Sequence, residues 1–396
     1  MADRMSGPRE AGAAQGVVLL MAAIMPIMAI TSLVPVLPLL IREFAAVPGS
    51  AALVPIALTV PALCVALFSP LAGWLSDKAG RKRLLVATLA LYGVAGVAPW
   101  FLTNLIAIIV TRVVLGIMEA TIMTLSTAMI ADYFEGERRE KWISVQVGAG
   151  SLAAIVLVAM GGALGEAFGS RGPFLLYILG FVVALIAALV LFEPARREAQ
   201  GMASGKAPSV LGDIWPQVLM TFGVGVLFYV LIVQIGPILE VSGAITPAEV
   251  GIAAAALNAG VMAGSILFKL SGRKAGPGVM AAGFAVATLG YAGASLSEGF
   301  VMVTAFATLG TLGAGILLPN MMSWTLAKLA PAVRGRGTGM WTGSFFLAQF
   351  VSPLAFGALA AQVGGVNTAL LAIAAAAGIA AVLTFFLRRR EERAGS

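Results

Sequence analysis

Histidine is missing altogether from the 396 residues, and cysteine occurs once, as Cys64 inside an apolar run. The first absence excludes a histidine proton relay and a His-ligated metal. The second excludes an intrachain disulfide or a cysteine cluster, so no metal site is expected. Charge is scarce too, at 11% of the chain, where a soluble domain carries about 25%. No polar segment is long enough to fold as a soluble catalytic domain and no nucleotide-cradling loop occurs, which speaks against an ATP-driven pump, an enzyme or a bound cofactor. The net charge of +7 is gathered on no soluble face, which speaks against nucleic acid as a partner.

What is present is apolar length. Hydrophobic residues make up 60% of the chain and mean hydropathy is +1.00, the composition of a polytopic membrane protein whose surroundings are the lipid bilayer. Crossing about 30 Å of hydrocarbon takes roughly 20 residues of helix. Twelve stretches fit, near 16–40, 52–75, 84–102, 105–130, 142–165, 173–192, 215–238, 248–270, 279–296, 299–327, 337–361 and 367–387. The first 15 residues are polar and the run after them is too long for a signal-peptide core, so it is expected to remain as the first span.

Placing the N-terminus inside leaves only Arg42 and Arg171 outside and Arg112 within a span, so that 22 of the 25 Lys and Arg fall on one side. Such a bias predicts both termini in the cytoplasm. The polar stretch from Glu193 to Gly212 divides the spans six plus six. Residues 1–195 are therefore expected as one bundle, 196–212 as a cytoplasmic linker and 213–396 as a second bundle. The bundles echo one another: Val34-Pro35-Val36-Leu37-Pro38 is matched by Gln234-Ile235-Gly236-Pro237, each closing the first span of its bundle.

Between the second and third spans lies Gly73-Trp74-Leu75-Ser76-Asp77-Lys78-Ala79-Gly80-Arg81-Lys82-Arg83. This loop resembles the signature loop of the major facilitator superfamily, and Lys269-Leu270-Ser271-Gly272-Arg273-Lys274 is a worn copy of it in the second bundle. The resemblance covers nearly the whole chain. It implies an all-α fold of twelve transmembrane helices in two pseudo-symmetric six-helix bundles. It also implies a gating latch: Gly73 permits close helix approach, Asp77 faces the start of the eleventh span near Gly337, Gly80 makes the turn, and Arg81 pairs with Asp132.

The fourth span carries Arg112 and Glu119. At 1.5 Å per residue they lie about 10 Å and about 20 Å below the outer boundary. Seven residues apart, they share a helix face with Gly116 between them. Ionisable groups so deep usually line a cavity and mark proton or substrate paths. Two readings stand: coupling or substrate binding, in which Glu119 changes protonation as the cavity wets and dries, or a fixed ion pair that staples helices. Arg112-x-x-x-Gly116 is similar to the family's fourth-helix motif, in which the arginine is linked to proton coupling, though Leu115 stands where the family often has Gln. In the fifth span Gly161-Gly162 survives from the antiporter pattern, while Leu157-Val158 replaces its Gly-Pro.

Further polar candidates for a central cavity are Thr31, Tyr92, Gln146, Tyr229, Gln234, Asn258, Asn320, Trp324, Trp341 and Gln349. They are too few for a sugar site. The 17 methionines suit an adaptable apolar cavity. The expected function is proton-coupled efflux of small amphipathic or hydrophobic compounds by a monomer in a bacterial inner membrane, in the manner of the twelve-helix drug-efflux branch. The first span lacks the acid often found there in multidrug members. A second reading is an importer or facilitator of an organic acid held by Arg112, and a third is a membrane sensor on a transporter scaffold.

Overall fold

Once a chain enters hydrocarbon, its backbone N–H and C=O groups must satisfy one another, which leaves helices or closed barrels. The computed structural model is helical, with no strand among the described residues. These are 11–194, 210–243, 245–272, 275–329 and 334–394, with their side chains except at 73, 74, 76–79, 147, 210–213, 334–336 and 388–394. The helices are α1 (Ala13–Thr31), α2 (Leu37–Glu43), α3 (Ser50–Ala79), α4 (Arg81–Val97), α5 (Leu105–Tyr133), α6 (Gly136–Phe168), α7 (Ile178–Val190), α8 (Val210–Glu240), α9 (Pro247–Leu270), α10 (Pro277–Leu296), α11 (Phe300–Ala327), α12 (Arg334–Val363) and α13 (Val366–Ala394).

Eleven segments among the described residues are long and apolar enough to cross a bilayer. One of them, Gly136–Val190, runs 55 residues and takes in both the fifth and sixth expected spans. It is interrupted by a 3-10 stretch over Gly169–Tyr177, entered through Gly169 at φ 71°. The first expected span is also broken. Pro35 and Pro38 lack the N–H groups that would continue α1, so the chain passes through a 3-10 turn at Val34–Val36 into α2. The expected linker falls largely on 195–209, outside the described residues.

Local chemistry sets several helix starts. Asn104 caps α5 by accepting from Ile106 N (2.9 Å) and Ala107 N (3.1 Å). Thr246 and Glu249 form a reciprocal capping box at α9, with Pro247 in the first turn. Asn320 reaches from α11 to the start of α10, accepting from Gly276 N (2.8 Å) and donating to Gly276 O (3.2 Å).

Helices α1 to α7 pack mainly among themselves, as do α8 to α13. The two groups meet where α6 crosses α9, where α3 crosses α12, and where residues 34–43 lie against α8 and α9. The α6–α9 crossing is a close backbone approach. A Cβ on Gly162 would stand 2.8 Å from Pro247 O and 3.0 Å from Gly251 Cα, so only glycine fits. At the same end of the bundle Arg42 forms an ion pair with Glu240 across the groups. Within the first group Arg171 pairs with Glu43 at 2.7 Å. Both arginines expected on the outer side are thus paired.

Candidate functional site

The buried charges of α5 sit where prolines and helix ends leave backbone carbonyls without partners. Pro61 in α3 has no N–H for the carbonyl four residues earlier. That carbonyl, on Ala57, instead accepts from Arg112 Nε at 3.2 Å. Ala29 O lies in the last turn of α1, at the negative end of the helix dipole, and accepts from Arg112 Nη2 at 2.6 Å. Arg112 Nη1 donates to the Tyr177 hydroxyl at 2.8 Å, and the guanidinium carbon lies 5.3 Å from that ring's centre. The arginine is wholly buried, at 0% exposure. Three of its nitrogens thus bind three elements: α1, α3 and the 3-10 stretch before α7.

Glu119 follows on the same face of α5, 3% exposed. The structure places no hydrogen bond between it and Arg112. Its Oε1 is buried without a partner among the described residues. Between the two, Gly116 lets α5 approach Pro61 and Cys64 of α3; a Cβ there would lie 2.5 Å from Pro61 Cα. The surroundings are the buried hydroxyls and thiol of Tyr92, Tyr177 and Cys64.

At the other end of α5, Arg81 forms an ion pair with Asp132, as the resemblance implied, and Arg81 Nη1 also donates to Ala128 O at 3.3 Å. Gly80 makes the turn at φ 84°, a region that favours glycine. The side chain of Asp77, near the end of α3, and position 73 lie outside the described residues, so the pairing expected of Asp77 is not part of the geometry here. Gly337 packs against Leu329 and Ile214. Glu193, the first residue of the polar stretch just beyond α7, joins this cluster: it accepts from Arg81 N and from Lys82 N (3.1 Å). It places a carboxylate on the free amides at the start of α4.

Several of the polar cavity candidates are spent on backbone carbonyls. Thr31 donates to Ile27 O (2.7 Å), Tyr92 to Met25 O (2.6 Å) and Asn258 to Ala254 O (2.8 Å). Asn320 is committed to α10, and Gln146 donates to Thr127 Oγ1 at 3.4 Å. Trp324 lies 5.0 Å beneath the Lys328 ammonium. Gln234 and Gln349 are buried, at 6% and 7% exposure. Tyr229 and Trp341 both pack on Phe345, with ring centres 5.0 Å and 5.6 Å apart.

Buried polar atoms without partners among the described residues are Glu119 Oε1, Gln217 Oε1, Thr304 Oγ1, Thr308 Oγ1 and Trp341 Nε1. Gln217 was legible as a polar residue inside an apolar span. Tyr177 was not, because only the tertiary fold carries its hydroxyl to Arg112.

Residues 18–325 match the family model of the Major Facilitator Superfamily. The chain belongs to this superfamily. Its relatives include the class H tetracycline resistance protein of Pasteurella multocida, 28% identical over 184 residues, 46% of each chain. The class D tetracycline resistance protein of Salmonella ordonez is 27% identical over 369 residues, 87% of this chain and 89% of that one. The match to the multi-drug resistance efflux pump PmrA homolog of Lactococcus lactis is 32% identical over 166 residues, 40% of this chain and 38% of that one. The first of these alignments, like that to the class B tetracycline resistance protein of Escherichia coli at 42% of its length, spans less than half of the relative. Among solved structures, a bacterial homologue of the human lysosomal transporter Spinster, inward-facing and unoccupied, superposes with TM-score 0.78 at 17% identity, covering 96% of this chain and 98% of that one. That last likeness is one of fold. The chain is thus a multi-pass membrane protein of this superfamily, with efflux proteins among its relatives.

Proposed function

We propose that the chain is a proton-driven exporter of small amphipathic or hydrophobic compounds, working by alternating access between two six-helix bundles. The observation that carries this reading is Glu119, buried on α5 with Oε1 unpartnered among the described residues. A carboxylate in hydrocarbon costs several kcal/mol unless paired or hydrated. Here it is tolerated if it holds a proton while enclosed and releases it when water reaches the cavity. Arg112, engaged by Ala29 O, Ala57 O and the Tyr177 hydroxyl, is a positioning residue. It ties α5 to α1 and α3, so that a change at Glu119 moves helices rather than one side chain. That engagement also speaks against Arg112 as a carboxylate ligand, and so against an organic-acid importer.

The relatives named for tetracycline and multidrug resistance support efflux and suggest planar drug-like cargo. Both termini are read as cytoplasmic, in a bacterial inner membrane, with the chain acting as a monomer. On that orientation the α6–α9 crossing and the Arg42–Glu240 pair close the outer end, a resting state like that of the inward-facing Spinster homologue. The Gly73, Asp77, Gly80, Arg81 and Asp132 cluster is the latch of the opposite end, with Glu193 fixing the start of α4 within it.

The test is transport in proteoliposomes with an acid interior and tetracycline or ethidium outside. The wild-type chain accumulates the compound in exchange for outgoing protons. Glu119→Gln is expected to lose gradient-driven accumulation while keeping compound-for-compound exchange. An unchanged dependence on the proton gradient in Glu119→Gln would overturn the coupling role.

A further inference from the structure

Four rings gather between α8 and α12. Phe345 stacks with Trp341 at 5.6 Å and an interplanar angle of 12°. It also meets Tyr229 at 5.0 Å and Phe228 at 5.7 Å. Flat rings in contact are a natural floor for another flat ring. Tyr229, 7% exposed, is part of the continuous apolar core that also holds residues of α1 and α5, and Phe228 and Phe345 are partly buried against it. Moreover α8 and α12 are two of the second-group helices that reach the first group, α8 against residues 34–43 and α12 against α3.

Packing alone does not explain the polar atoms beside these rings. Trp341 Nε1 is buried and donates to nothing among the described residues. Gln217, 1% exposed, has Oε1 buried and unpartnered. Ser344 Oγ donates to Val218 O at 2.7 Å, which sets the Gln217 turn of α8 beside the Trp341–Phe345 turn of α12. Buried indole N–H groups usually find an acceptor, and an unmet buried donor or acceptor is destabilising. An aromatic floor with an idle donor and an idle acceptor matches a ligand with the complementary groups.

We infer that the α8–α12 face binds flat aromatic compounds bearing a hydrogen-bond acceptor, which stack on Phe345 and Trp341 and accept from Trp341 Nε1. Gln217 Oε1 takes a donor from the same compound. The cargo surface therefore belongs to the second group of helices and the proton-bearing carboxylate to the first, and the helix contacts between groups join the two. This inference deepens the export reading and rests on it for the ligand's passage, but not for binding.

The test is equilibrium dialysis of the purified full-length protein in detergent, without any gradient. Two probes are used: tetracycline, which has carbonyl acceptors, and ethidium, which is flat but has none. Trp341→Phe keeps the ring and removes the donor. It should weaken tetracycline binding about five- to tenfold while leaving ethidium within about twofold. Phe345→Leu should weaken both, and Phe345→Tyr, which keeps a ring, should restore ethidium, separating a lost contact from a misfolded chain. Wild-type affinity for both probes in Phe345→Leu overturns the site, as does a wild-type chain that binds neither. Equal losses for the two probes in Trp341→Phe overturn the hydrogen-bond assignment. A chain that binds both probes through these rings yet carries neither across proteoliposomes keeps the site and overturns export.

Discussion

Arg112 and Glu119 show how differently two ionisable residues on one helix face can be employed. The arginine has a planar fork of donors, and the structure supplies three acceptors to match, two of them carbonyls left free by Pro61 and by the end of α1. A lysine at that place keeps the charge but has one nitrogen where three are used. Arg112→Lys is therefore expected to destabilise the folded chain by about 2–4 kcal/mol, read as a lower melting temperature in detergent. A melting temperature equal to wild type would mean that those carbonyls do not depend on the guanidinium. Glu119 has the opposite character, with an oxygen bonded to nothing described. Its replacement by Gln should leave melting nearly unchanged and remove coupling, so the two variants divide structure from function.

The α6–α9 crossing is governed by its glycines, at the scale of the element. Gly162 faces Pro247 O and Gly251 Cα with room for a hydrogen and no more, and Gly165 faces Pro247 and Val36. Gly162→Val forces the helices apart at this end. Spin labels at the exposed positions Phe168 and Val241 should then move to longer separations, with loss of transport and little change in detergent melting. An unaltered distance distribution would show that the crossing does not hold this end closed. The paired glycines read in sequence as a remnant of an antiporter pattern thus have a packing task of their own. The Gly-Pro replaced by Leu157-Val158 is not needed for it.

For the whole molecule, alternating access requires that contacts closing one end be broken in every cycle. In the proposed cycle Arg42–Glu240 is such a contact, joining the end of α2 to the end of α8. An exposed ion pair is worth only about 0–1 kcal/mol, so it is suited to breaking. Cysteines at both positions, with Cys64 replaced by Ser, should form a disulfide under oxidation that stops transport. Reduction should restore it. Full transport by the cross-linked protein would place the moving interface elsewhere.

Much of this was legible without coordinates. Apolar length against sparse charge determined a polytopic helical membrane protein, because hydrocarbon offers the backbone no partner outside its own helix. The Gly73–Arg83 pattern carried the family, and the depth of Arg112 and Glu119 within an apolar span marked them as residues with a task. Other features depended on where neighbouring helices lie. Pro61 frees a carbonyl whichever way the chain folds, but only the approach of α5 makes Arg112 its partner. Tyr177 and Glu193 read as part of a span and as the start of a polar stretch. The fold turns them into a ligand of Arg112 and a cap on α4. Trp341 and Gln217 read as separate polar residues of two apolar stretches, and Phe345 as one of their apolar residues, until α8 and α12 are set side by side. Composition and spacing decide which groups cannot face lipid, since that penalty is local; which groups they meet instead is decided by contacts between segments far apart in the chain, where tertiary structure alone sets the distances.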